Sequence, residues 1–341
     1  MNNKDVLPER RHTLQRKPGT TRRKTLQALG GLAALALLPA AVPLARAAAW
    51  EGKALRIGYQ KSSTLTVLLK TRGSLERRLA PLGLKVEWYE FTSGLPLLEA
   101  LNIGSLEFSA DVADTVPVFA QAAGARLTYV AQETPSPAAQ AIVVPEASPI
   151  RSLADLKGRK IGLAKGAGAH YLLIAALASV GLTVKDVEVA YLPPADGRAA
   201  FERGAIDAWS IWDPFLAGVQ RQSKVRLLTG EPAVAQYKRY YLAADAFAEA
   251  RPDVLAVLFE ELREVGRWVK ASPKEAAALL SPVWGLDADT VELANSRRSY
   301  ELRAVTPDQL GEQQRIADAF FAEKLLPKKV VATEVRIWTP G

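Results

Sequence analysis

Gly166-Ala167-Gly168-Ala169-His170 is a run of small residues between an apolar stretch, Lys160–Ala164, and the helical pattern Tyr171-Leu172-Leu173-Ile174. A strand that turns through small residues into a helix leaves unpaired N–H groups at the helix start, at the positive end of the dipole. Such a start attracts an anion. The first half of the chain repeats the device, with Gln60-Lys61-Ser62-Ser63 between the strand pattern Leu55–Tyr59 and a helix opening at Thr64. Ser93-Gly94 precedes a further helix, and Gly94 there permits close backbone approach to a ligand. Two such loops facing each other would clamp a small anion, with hydroxyls, backbone N–H groups and the Gln60 amide as donors. The plainer reading makes Ser63 and Ser93 helix caps, Lys61 an exposed side chain and His170 a polar cap.

Four more features bear on the chemistry. Asp111 and Asp114 carry carboxylates that would repel an anion, so Asp114 is expected to cap the helix beginning at Thr115, or one Asp to hold an ammonium on the ligand. Acid–base catalysis by this pair would need a second constellation that the sequence lacks. Trp209 and Trp212, with Asp213-Pro214 behind them, read either as a lip over the apolar part of a ligand or as two core tryptophans three apart on one face. His170 at a helix start is expected to be neutral and to donate one hydrogen bond. The glycine run itself is no nucleotide loop, because no Lys-Ser/Thr follows it and the last glycine of a dinucleotide fingerprint is missing.

Composition narrows the classes. The chain has no cysteine, which removes disulfides, thiol catalysis, thiolate metal sites and a lipid-anchoring cysteine. Of its two histidines, His12 lies in the N-terminal segment, so neither a histidine-built metal centre nor any cofactor is expected. Residues 1–47 read as an export signal: a basic start, Arg22-Arg23 before an apolar Ala/Leu-rich stretch, and Ala45-Arg46-Ala47 as a cleavage site. The adjacent arginines point to the twin-arginine route and hence to the periplasm, without a lipid anchor. This segment accounts for +7 of the formal net charge of +8, so the high isoelectric point is no sign of nucleic-acid binding.

The elements that would position these residues alternate strand and helix, as in doubly wound α/β sheets. Strands are expected at Leu55–Tyr59, Lys85–Phe91, Leu106–Ala110, Leu127–Gln132, Ala139–Val144, Lys160–Ala164, Val187–Tyr191, Val225–Leu228 and Tyr237–Ala243. Helices are expected at Gly94–Ile103, Asp114–Ala123, His170–Val180 and Pro194–Arg203. Beyond Asp245 the pattern is helical: Pro252–Ala271, Pro273–Ser281, Asp287–Ser296 and Thr306–Glu323. The length fits two lobes. Residues 48–144 would begin the first, 145–235 form the second after the turn Pro145–Pro149, and 236–341 return to the first and add the C-terminal helices. Two crossing strands would then act as a hinge.

Several stretches resemble the aliphatic-sulfonate-binding proteins. They are Leu55–Lys61, Leu98–Ser105, Val118–Ala125, Asp155–Leu173, Pro194–Phe201, Ile206–Pro214 and Pro327–Val330. The resemblance runs through the whole chain after the export segment, in order. Where many relatives carry Gly-Ser-Thr-Gly-Asp before a proline, this chain reads Ser109–Pro117 with a different composition. The resemblance implies an α/β periplasmic-binding-protein fold of the second topological type, without catalysis, as the receptor of an ATP-binding-cassette importer. Its partners would be a small organosulfonate anion and a permease with its ATPase, and it would act as a monomer. Gln60, Lys61, Ser62, Ser63, Ser93, Gly94, Asp111, Asp114, Thr115, Gly166, Gly168, His170, Trp209, Trp212 and Asp213 would face the ligand. Receptors for taurine, nitrate or a thiamine precursor, and thiamine-pyrimidine biosynthesis enzymes, share that fold; the missing cysteine and the export signal count against the enzymes.

Overall fold

The computed structural model describes Trp50, residues 52–230 and residues 232–341, so the export segment read at residues 1–47 lies outside the described residues. The described residues form a single unit. Its strands run β1 Ala54–Gln60, β2 Lys85–Phe91, β3 Phe108–Ala113, β4 Leu127–Glu133, β5 Gln140–Pro145, β6 Lys160–Leu163, β7 Glu188–Tyr191, β8 Ala208–Trp212, β9 Val225–Leu227, β10 Arg239–Ala244, β11 Leu302–Arg303 and β12 Arg336–Ile337. They build two sheets. The first has the order β11-β4-β10-β3-β1-β2 with β12 also on β4, and the second the order β7-β6-β8-β5-β9. In each, a strand feeding the cleft, β1 or β6, pairs in parallel with both neighbours, which puts the loops after them at the carboxyl edge of the sheet.

The chain crosses between the sheets twice, at residues 134–139 and 228–238. The first crossing comes earlier than expected. Gln140–Pro145 pairs antiparallel with β8 and β9, so this strand opens the second lobe, and the turn at Pro145–Pro149 lies within that lobe.

β8 was not expected as a strand. Ala208-Trp209-Ser210-Ile211-Trp212 is buried along its whole length, and a central strand covered on both faces shows no alternation in its sequence. Side chains three apart on a strand point to opposite faces. Trp209 accordingly packs into the second lobe against Phe201, at 6.2 Å between ring centroids, while Trp212 meets Phe215 edge-on at 5.8 Å.

The C-terminal helices attach to the first lobe. The helix Pro252–Ala271 buries Val254, Leu255, Leu258, Leu262, Val265 and Val269 against the helices Thr64–Arg72 and Ser74–Leu79. The last expected helix is split into a tight turn, Pro307–Leu310, and the helix Gly311–Ala322. That helix packs on Thr115–Ala122 of the first lobe and on Gly168–Ser179 of the second, so one apolar cluster holds Val118, Leu172 and Phe320. No helix among the described residues is long and apolar enough to cross a membrane.

Candidate functional site

A cavity of about 270 Å³ lies between the two lobes. Six of the residues singled out from the sequence line it: Gln60, Ser93, Gly94, Gly166, Gly168 and Trp212. Gln60 ends β1 and is held by a hydrogen bond from its Nε2 to the Asp111 carbonyl, 3.1 Å. Two helix starts flank the space. One is the helix Gly94–Asn102, which follows Ser93 in extended backbone, and the other is the helix Gly168–Ser179. Glycine is required at both starts by close packing. A Cβ on Gly94 would stand 2.8 Å from Val116 Cγ2, and one on Gly168 would stand 2.5 Å from the Tyr237 ring.

The first-lobe helix start that borders this cavity is the one at Gly94, while the one at Thr64 lies outside its lining. Ser63 is fully buried, and its Oγ accepts from Gln60 N–H at 3.2 Å, while Lys61 and Ser62 line a separate hollow.

The remaining expected residues are engaged elsewhere. Asp111 is buried between two arginines, with Oδ2 3.0 Å from Arg298 Nη2 and 3.5 Å from Arg239 Nη1. Asp114 accepts a hydrogen bond from Lys238 N–H at 2.9 Å, and burial pushes its carboxyl up to about 7. Asp213 is held by Arg297 at 3.1 Å and by Ala217 N–H at 2.9 Å; burial likewise pushes it up to about 7. Trp209 belongs to the core.

Neither Thr115 nor His170 lines the cavity. Thr115 Oγ1 donates to the Gly166 carbonyl at 2.6 Å, a hydrogen bond from one lobe to the other beside the cavity. His170 accepts at Nδ1 from Gly166 N–H, 3.1 Å away, which places its own proton on Nε2. Its ring sits between Tyr191 and Phe320, at 5.5 and 5.1 Å between centroids. Burial, with a smaller contribution from Lys165, lowers its pKa to about 4, so it is neutral as expected, but it acts as an acceptor inside its own loop.

The positive charge at the site comes from Arg239, which the residue pattern alone did not single out. Arg239, at the start of β10, lines the cavity and is 3 % exposed. Its Nη2 donates to Tyr237 Oη at 2.8 Å, its guanidinium lies over the Tyr237 ring at 4.9 Å, and its buried Nε has no partner among the described residues. The signal was present: an arginine beside Tyr240-Tyr241-Leu242-Ala243 is a charge placed in a core strand, which demands a counter-charge. Lys165 adds a second cation to the wall, and among the described residues no Asp or Glu lines it. Leu95, Val116, Leu192, Pro193, Pro194 and Trp212 supply the apolar surface. The arrangement suits an anionic head with an uncharged organic body.

The family model NMT1/THI5 like matches residues 80–276. An aliphatic sulfonates-binding protein of Escherichia coli (strain K12) is 40% identical over 308 residues, which cover 90% of this chain and 95% of that protein. The crystal structure of the periplasmic aliphatic sulphonate binding protein from Escherichia coli superposes with a TM-score of 0.78, covering 85% of this chain and 93% of the other. The alkanesulfonate-binding protein from Xanthomonas axonopodis pv. citri, bound to MOPS, is 37% identical, with a TM-score of 0.78 over 83% of this chain and 98% of that one.

Proposed function

We propose that this chain, which belongs to the NMT1/THI5-like family and within it to the aliphatic-sulfonate-binding proteins, is a receptor of the second periplasmic-binding-protein type that captures organosulfonates for an importer. The observation that carries the reading is Arg239: a buried guanidinium with an unpartnered Nε, at the wall of an interlobe cavity flanked by two helix starts. A sulfonate is a tetrahedral monoanion at any working pH, and its three oxygens accept hydrogen bonds without offering a proton. Arg239, Ser93, the Gln60 amide and the helix starts at Gly94 and Gly168 would share those oxygens. Trp212, Leu192 and Pro194 would cover the carbon attached to the head. With no carboxylate in the wall, the ammonium of taurine has no partner there, which favours sulfonates with neutral tails.

Such a receptor performs no chemistry. It would work as a monomer in the periplasm, closing its lobes on the ligand through the two crossing segments and presenting the closed form to a permease and its ATPase. Thermal unfolding against alkanesulfonates, taurine, sulfate, nitrate and pyrimidines tests the reading. A ligand at a hundred times its dissociation constant stabilises the protein by about 2.7 kcal/mol. Stabilisation by alkanesulfonates is expected, and stabilisation by nitrate or a pyrimidine alone would overturn the assignment. Export would follow the twin-arginine route. The variant Arg22→Lys/Arg23→Lys would then stay in the cytoplasm, and its normal periplasmic accumulation would contradict that route.

A further inference from the structure

A second hollow, of about 250 Å³, lies beside the anion cavity and draws its walls from both lobes. Trp284 and Leu286 come from the C-terminal region, and Pro194, Ala195, Pro214 and Phe215 from the second lobe. Three stretches of chain run from one space into the next. Gln60 lines the anion cavity and Lys61-Ser62 the hollow; Pro193-Pro194 lines the first and Pro194-Ala195 the second; Trp212 lines the first and Pro214-Phe215 the second. The partition between them is Pro194 and the edge-to-face pair Trp212–Phe215.

The hollow is built to take hydrocarbon. Among the described residues no carboxylate lines it; its cations are Lys61, which is exposed, and Arg198, whose guanidinium is already tied to Glu202 at 2.7 Å and to Gln222 at 2.5 Å. The Trp284 indole spends its one donor on the Lys61 carbonyl, 2.7 Å away, which fixes the ring as a wall and leaves no polar demand on a guest. We propose that this hollow is a tail subsite: organosulfonates whose chain outgrows the anion cavity pass Pro194 and lay their distal methylenes against Ala195, Phe215, Trp284 and Leu286. The inference rests on the sulfonate reading of the first cavity and adds where the far end of a long neutral tail is held. Specificity for length then resides in residues that never meet the head group.

Titration calorimetry of the exported protein with ethane-, butane-, hexane- and octanesulfonate tests it. Each methylene that enters the subsite tightens binding about fourfold. Two variants fill the hollow from different sides. Ala195→Trp acts from an exposed position in the first turn of its helix. Gly218→Leu acts from a floor where an added Cβ meets Arg198 Nη1 at 3.4 Å and Leu286 Cδ2 at 3.7 Å, ordinary contacts. Octanesulfonate should lose about tenfold or more in both variants, while ethanesulfonate stays within about twofold of wild type. Equal losses for both ligands, or none for either, overturn the tail subsite and leave the receptor reading intact. A wild-type protein that binds none of the four overturns both.

Discussion

Arg298 Nη2 lies 3.0 Å from Asp111 Oδ2, nearer to that carboxylate than the cavity arginine, Arg239, whose Nη1 is 3.5 Å away. Arg298 also holds both oxygens of Glu133, at 2.6 and 2.7 Å. Burial alone would favour its neutral form, but Glu133 and Asp111 raise its pKa well above the ordinary range. Two arginines and two carboxylates thus meet out of water, and Asp111 is shared so that Arg239 is only partly neutralised.

The sharing makes a prediction about a residue outside the cavity. Arg298→Met frees Asp111 to pair wholly with Arg239, and sulfonate affinity should fall by about tenfold. Stability should fall too, by about 3–5 kcal/mol, because Glu133 is left buried without its counter-charge, with only the Tyr241 hydroxyl donating to it. Adding Asp111→Asn removes the competing charge and should restore affinity without restoring stability. A double variant that binds no better than Arg298→Met would show that Arg298 acts only as a structural support.

Thr115 is expected to govern release. Its hydroxyl donates to the Gly166 carbonyl across the cleft, so the bond exists only while the lobes are together. A neutral hydrogen bond is worth about 0.5–1.5 kcal/mol, and Thr115→Val should raise the dissociation rate by about two- to tenfold with little change in association. Stopped-flow displacement measures this directly; an unchanged dissociation rate would remove the bond from the closed state.

His170 should shape the acid limb of stability rather than binding. Its folded pKa of about 4 lies below the ordinary 6.5, so between those values the unfolded chain holds a proton that the folded chain does not. Its contribution is complete above about pH 6.5 and is lost as the pH falls through about 4, with a slope of at most about 1.4 kcal/mol per pH unit. Asp114 and Asp213, both raised to about 7 by burial, act in the opposite sense over the same range. They are common to the wild type and to His170→Gln, which keeps an acceptor for Gly166 N–H, so their effect cancels in the difference. Denaturation at pH 7, 6 and 5 should show the wild type losing stability relative to the variant on acidification. Parallel curves would contradict the buried neutral imidazole.

Much of the scaffold was readable in the chain because local pattern and tertiary role agree. The strand Lys85–Phe91 and the helix Pro252–Ala271 lie where period and punctuation put them. β8 was not readable, since a strand buried on both faces has no alternation, and without β8 the opposite directions of Trp209 and Trp212 could not be seen. The strand Gln140–Pro145 carries nothing in its own residues that says which sheet it joins; that is decided by pairing with β8 and β9. Among the site residues, small and polar types before helix starts led to Ser93, Gly94, Gly166 and Gly168. They did not separate the start at Thr64, which turns its polar groups inward, from the one at Gly94, which lines the cavity. Arg239 required long-range information, because its counter-charge, Asp111, lies on β3 and is shared with Arg298 in the segment after the helix Ala288–Ser296.

Titration calorimetry of butanesulfonate into the wild type and Arg239→Gln decides whether a sulfonate is held at Arg239 between the two lobes. A hydrogen bond to a charged group is worth about 1.5–3 kcal/mol, so one site per chain is expected in the wild type and at least about a tenfold loss in the variant. A wild type that shows no saturable binding, or a variant that binds as tightly as the wild type, would contradict it.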